Sequence, residues 1–181
     1  MGDLPPHDFT VLLPPGWIRI PLDGREGIRA AALATAKVAQ LPEPQRSEVK
    51  QHLLQLLRVS IRKAREAGGI DIIMSLAERN GIPLAASCLV SYVEYGDPVP
   101  VDQLLVEVSE EEGDVKGVEI AGAPAVRRQY MEGPVTMVDY LLPMPGKKGL
   151  LTLAFATPLE ELAGPLVLLF DAIAESLRWQ S

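Results

Sequence analysis

Residues 82–95, Ile-Pro-Leu-Ala-Ala-Ser-Cys-Leu-Val-Ser-Tyr-Val-Glu-Tyr, are apolar or small at nearly every even and every odd position. A strand with one wet face alternates apolar with polar residues; one that is apolar on both faces suits the middle of a sheet covered on both sides. Ala85, Ala86, Ser87 and Ser91 would let covering helices or neighbouring chains approach closely. The rest of the chain must then supply a helical layer for each face of that sheet.

The flanking segments meet that demand. Phe9–Leu13 and Trp17–Ile20, separated by Pro14-Pro15-Gly16, predict an opening hairpin. Residues 25–40, rich in Ala, Leu, Arg and Lys, predict a helix that Leu41-Pro42-Glu43-Pro44 ends. A second helix is expected from Gln45 to Ala67, with Val49, Leu53, Leu56, Leu57, Ser60, Ile61 and Ala64 on one arc and Arg58, Arg62 and Arg65 opposite. Gly68-Gly69 stops it. Ile70–Ala77 alternates as a strand, and Asn80-Gly81 is a favoured two-residue hairpin turn. Helical turns are expected at Val101–Val108, then strands at Val115–Ile120 (continuing past Pro124 as Ala125–Met131), Val135–Leu142 and Leu150–Ala156, with turns at Gly133-Pro134 and Pro143–Gly146. Thr157-Pro158-Leu159-Glu160 carries the signature of a helix start, Gly164-Pro165 interrupts, and Leu166, Leu169, Phe170, Ile173 and Leu177 repeat at helical spacing to Trp179. The reading is one α+β domain over residues 1–181, a largely antiparallel sheet with helices on both faces.

At 181 residues and 48% hydrophobic content the chain can build its own core. One cysteine, Cys88, and two histidines, His7 and His52, exclude an intrachain disulfide framework and a four-ligand Cys/His zinc site. The formal net charge of −7 argues against nucleic acid as a partner. That charge is unevenly spread. Arg25–Glu66 carries nine bases against four acids, a net +5, while Glu94–Asp114 carries eight acids and no base. The longest charge-free stretch, Asn80–Val93, has 14 residues and falls short of a bilayer span. No membrane partner is expected, and the acidic, proline-bearing start lacks the look of a secretory signal, which points to the cytoplasm.

The order of elements carries a resemblance. Pro15-Gly16-Trp17 near the start, the late strand Leu-Thr-Leu-Ala-Phe-Ala-Thr (151–157) and the closing Leu-Phe-Asp-Ala-Ile-Ala-Glu-Ser-Leu-Arg-Trp (169–179) resemble the Mog1/PsbP-like family, as represented by many bacterial members. The resemblance implies an α/β/α sandwich and a non-enzymatic role. Relatives include a nuclear-import factor that binds a small GTPase, extrinsic photosystem subunits and envelope lipoproteins. The chain departs from the pattern in having no lipobox cysteine near its start and in its paired early helices. Fold alone does not carry function across such a group.

Residues with chemistry are few. Cys88 lies within an apolar strand and reads as a buried structural thiol. His52 sits on a helix flank, and His7 in a proline-flanked terminus. Neither a Gly-x-Ser-x-Gly elbow nor a Gly-x-x-x-x-Gly-Lys-Ser/Thr loop occurs. Glu110–Glu112 with Asp114 lacks the oxygen spacing of a calcium loop. Trp17 and Trp179 read as packing at the rim of the core. No cofactor is implied. The arginines Arg58, Arg62 and Arg65 form a ridge suited to carboxylate or phosphate recognition. Arg127 and Arg128 fall on opposite faces of one strand, so one of them must meet whatever covers the sheet, with Asp139 as its candidate partner.

The first expectation is a non-catalytic binding or scaffold protein acting through protein contacts. Self-association of its basic and acidic segments is one form of this. The alternative is a small-ligand carrier or enzyme with a site near Arg127, Arg128, Tyr130 and Asp139, which an enclosed pocket would support. A secretion chaperone, marked by a large exposed apolar groove, is a third reading.

Overall fold

A computed structural model describes residues 9–39, 41–144 and 149–180. In chain order the elements are β1 (Phe9–Thr10), β2 (Trp17–Pro21), α1 (Glu26–Val38), α2 (Glu43–Glu66), β3 (Gly69–Ser75), β4 (Glu78–Arg79), β5 (Ile82–Pro83), β6 (Ser87–Glu94), α3 (Val101–Ser109), β7 (Asp114–Ile120), β8 (Ala123–Glu132), β9 (Val135–Pro143), β10 (Gly149–Thr157), α4 (Ala163–Glu175) and β11 (Arg178–Trp179). Seven strands form one antiparallel sheet in the order β2-β3-β6-β10-β9-β8-β7. Of the segment apolar on both faces only Ser87–Glu94 forms β6, inside this sheet and paired with β3 and β10; Ile82–Pro83 belongs to a separate small hairpin with β4.

Helices cover both faces, as expected of the α+β sandwich. On one face α4 presses Leu166, Phe170 and Ile173, joined by Leu177 just past its end, onto Cys88, Val138, Tyr140, Leu153 and Phe155. Phe155 stacks on Phe170 at 4.8 Å and meets Tyr140 edge-on at 5.8 Å. Trp17 reaches Phe170 edge-on at 6.4 Å, and Trp179 packs against the same cluster, so both tryptophans serve the core. On the other face α1 and α2 cover β2 and β3 through Ala30, Leu57, Ile61 and Ala64 against Ile20, Ile72 and Met74. There α3 covers the opposite half through Leu104 and Val108 against Val126 and Leu150. Strands between these helices are therefore sealed on one side only. Along β9, Thr136, Val138, Tyr140 and Leu142 are buried, whereas Val135, Met137, Asp139 and Leu141 are half-buried.

Local chemistry explains most boundaries. α2 starts with Pro44 in its first turn, where no amide is needed, and ends on Gly68 at φ 74, the left-handed conformation that stops a helix cheaply. Asn80-Gly81, both at positive φ, turns the small β4–β5 hairpin between β3 and β6.

Four expectations need correction. β1 does not pair with β2; it pairs with β11, Phe9 opposite Trp179, so the opening hairpin is absent. Two backbones that far apart in sequence leave no local signal of their pairing. The strand expected to continue through Pro124 is two strands, β7 and β8, folded back at Ala121-Gly122. Ala121 at φ 54 is a residue rarely placed there, which hid the turn. The last helix begins at Ala163, with Gly164 and Pro165 inside its first turn, where a missing amide costs no hydrogen bond. Thr157 ends β10, and its hydroxyl accepts from the Leu159 amide and donates to the Ala85 carbonyl. Finally, the apolar arc assigned to α2 is too wide, since Val49 and Leu56 are exposed. The expected turn at Pro143–Gly146 lies partly outside the described residues.

Candidate functional surfaces

The sheet divides the residues that the sequence grouped around Arg127. Arg127 points to the α4 face, is 4% exposed, and is held by Asp171 of α4, with Nε 2.7 Å from Oδ1 and Nη2 3.3 Å from Oδ2. The Tyr140 hydroxyl donates to the same Oδ1, and Gln129 Oε1 accepts from Arg127 Nη2 at 3.1 Å. Burial disfavours the guanidinium charge, but Asp171 and Tyr140 outweigh it and hold Arg127 protonated more firmly than usual. The partner is thus Asp171, not Asp139. This closed network joins β8, β9 and α4, and it is structural.

Arg128, Tyr130 and Asp139 lie on the opposite, half-open face. Arg128 pairs with Glu111, donates from Nε to the Glu112 carbonyl at 3.1 Å, and lies 4.0 Å over the Tyr130 ring. Asp139 sits directly across from Arg128 in the strand register. Its Oδ1 is buried and has no hydrogen-bond partner among the described residues. Burial pushes the Asp139 carboxyl up, against the pull of Tyr130 and Arg128. Tyr130 is itself pushed up to about 12, by burial first and by the Asp139 charge second. With Arg127 on the far side, the four residues proposed for a ligand site do not converge.

Cys88 is fully buried on the α4 face, and burial, then the charges of Asp139 and Asp71, push its thiol well up. Such a thiol is not a nucleophile. His52 is exposed on α2, and His7 lies outside the described residues. Among the described residues no three of His, Cys, Asp and Glu gather as a metal site, Glu110–Glu112 and Asp114 included. A second ion pair, Arg19 with the buried Asp71, clamps β2 to β3, and Arg19 also donates to the Phe9 carbonyl and lies 4.1 Å over its ring.

The arginine ridge is on the surface. Arg58, Arg62 and Arg65 flank α2 on the side towards the start of α1 and line an open hollow of about 340 Å³ with Glu26, Ile61 and Glu66. Arg65 pairs with Glu26, a residue only 7% exposed. Arg58 and Arg62 are exposed and form no ion pair with any described residue. α3 and the turn after it expose Asp102, Glu107, Glu110, Glu111 and Glu112 in the same helical layer. The sequence reading missed one further feature. Of the exposed large hydrophobic residues, Ile28, Val49, Leu56 and Val106 lie on these helices and Val93 and Tyr95 at the end of β6 beside α3, against Leu12, Met131 and Leu168 elsewhere. Only the topology could reveal it, because these six come from four separate segments.

No family model matches the chain, and no curated protein matches it in sequence. In three dimensions it is similar to the solution structure of cyanobacterial PsbP (CyanoP) from Synechocystis sp. PCC 6803. The TM-score is 0.50 and the identity 14%, over 95% of this chain and 86% of that one. The architecture is therefore an α+β sandwich. More narrowly, it is a PsbP-like fold. Among the described residues no helix is long and apolar enough to cross a membrane.

Proposed function

We propose that this is a non-catalytic binding or scaffold protein of the Mog1/PsbP-like family, working in the cytoplasm through contacts with another protein. The observation that carries the reading is the arginine ridge. Arg58 and Arg62 stand exposed and without carboxylate partners among the described residues, on a helix whose other side is locked into the core by Leu57, Ile61 and Ala64. A preorganised guanidinium pair on a rigid element suits recognition of carboxylates on a partner. The placement of the reactive side chains supports the same reading, with Cys88 sealed and Arg127 bound into a structural network. Family membership is supported by the PsbP-like fold together with the motifs at residues 15–17, 151–157 and 169–179. A lone thiol kept in the core suits a reducing compartment.

The test is recovery of a stoichiometric complex from native cells, followed by its reconstitution from the two purified proteins. Arg58→Glu/Arg62→Glu should weaken the reconstituted complex at least tenfold, while Arg79→Glu, on the exposed β4, should leave it unchanged. Equal affinity for all three proteins would refute docking on the ridge.

A further inference from the structure

We propose that the partner of the α1–α2–α3 face is a second copy of this chain, bound as a twofold dimer in which α2 of each copy meets α3 of the other. The inference rests on the docking reading above and names the partner. Three observations lead to it.

The first is placement. The basic and acidic segments, separated by 27 residues in sequence, place α2 and α3 in one helical layer on one side of the sheet. α2 stands over β3 near one edge, and α3 over β7 and β8 near the other. A twofold axis lying between two copies and parallel to the strands exchanges the two halves of this face. Each positive ridge then lies against a negative one, twice in the same interface, which is the self-complementary arrangement an isologous contact requires.

The second is the state of the charges. Arg58, Arg62 and Lys63 form no ion pair with described residues, and neither do Asp102 or Glu110. They are available to an outside partner of opposite sign. The third is the apolar surface on the same side of the sheet. Val49, Leu56, Val93 and Val106 are exposed, and the strand surface between α2 and α3 (Leu89, Ser91, Thr152, Ala154) is only half-buried. An apolar centre within a charged rim is the usual anatomy of a stable interface.

The test is a charge exchange read by sedimentation and native mass spectrometry. Wild type should dimerise in about 20 mM salt and bind at least tenfold more weakly in about 500 mM, since screening shortens the reach of exposed charges. Arg58→Glu/Arg62→Glu takes α2 from +3 to −1, so both ridges of a copy are acidic, and Glu107→Arg/Glu110→Arg/Glu112→Arg takes α3 and the turn after it from −5 to +1, so both are basic. Each variant should be monomeric alone with an unchanged circular dichroism spectrum. An equimolar mixture should form a one-to-one dimer, which misfolded variants could not do. A wild-type monomer at 100 µM in low salt, variants that dimerise as wild type does, or a mixture that stays monomeric would each overturn the dimer. If wild type is monomeric while a reconstituted partner still loses its hold on Arg58→Glu/Arg62→Glu, the docking reading stands and self-association alone falls.

Discussion

Two carboxylates illustrate how neighbours decide what a charge does. Asp171 neutralises the buried Arg127 and accepts from Tyr140, so removing it strands a guanidinium in the core. Breaking a buried pair from one side costs several kcal/mol, whereas replacing both partners with apolar groups costs far less. Asp171→Ala should therefore lower unfolding stability in urea by about 3 kcal/mol, and Arg127→Leu/Asp171→Leu should recover much of that loss. Asp139 is the opposite case, with a buried oxygen that has no hydrogen-bond partner among the described residues. Its folded-state carboxyl lies above the ordinary 3.8, so the fold holds the proton more tightly than the unfolded chain does. The stability tied to that proton is fully present well below 3.8, falls as pH rises past 3.8, where only the unfolded chain ionises, and is lost as pH rises through the folded value. At pH 7 Asp139→Asn should stabilise by about 1 kcal/mol, raising the thermal midpoint by about 2–4 °C. The gain should shrink towards pH 4, and the Tyr130 titration should move down from about 12 once the neighbouring charge is gone. The rule that one of two adjacent strand arginines meets the covering layer was legible from sequence. Its partner was not, because Asp171 lies 44 residues away on a helix whose docking face only the fold defines.

At the scale of elements, turns matter as much as strands. β7 starts beside Gly113, whose φ of 134 favours glycine and where an added Cβ would stand 2.7 Å from the Gln129 carbonyl oxygen. Gly113→Ala should therefore destabilise by about 2 kcal/mol, read as a fall in urea midpoint at unchanged slope. The helices, the Asn80-Gly81 turn and strands β9 and β10 were legible because period and turn chemistry are local. Pro158 misled, since the start signal around Thr157 belongs to a strand end and a short turn (Glu160–Leu162) ahead of α4. The β7–β8 turn was illegible because Ala121 occupies a position where Asn or Gly would have announced it.

At the scale of the molecule, the two helical layers are unequal. α4 and the sheet seal one face, while three helices on the other leave a strip of strand half-open between a basic and an acidic ridge. The charge asymmetry along the chain was readable from the sequence. That both segments fall on one side was not, because it depends on the return of the β7–β10 meander to β6. The pairing of β1 with β11 also has a practical side. Phe9 and Trp179 are neighbours and belong to the cluster beneath α4. Labels on these two residues, 170 positions apart in the chain, would therefore report on one and the same rim of the sandwich, and their separation would mark its opening.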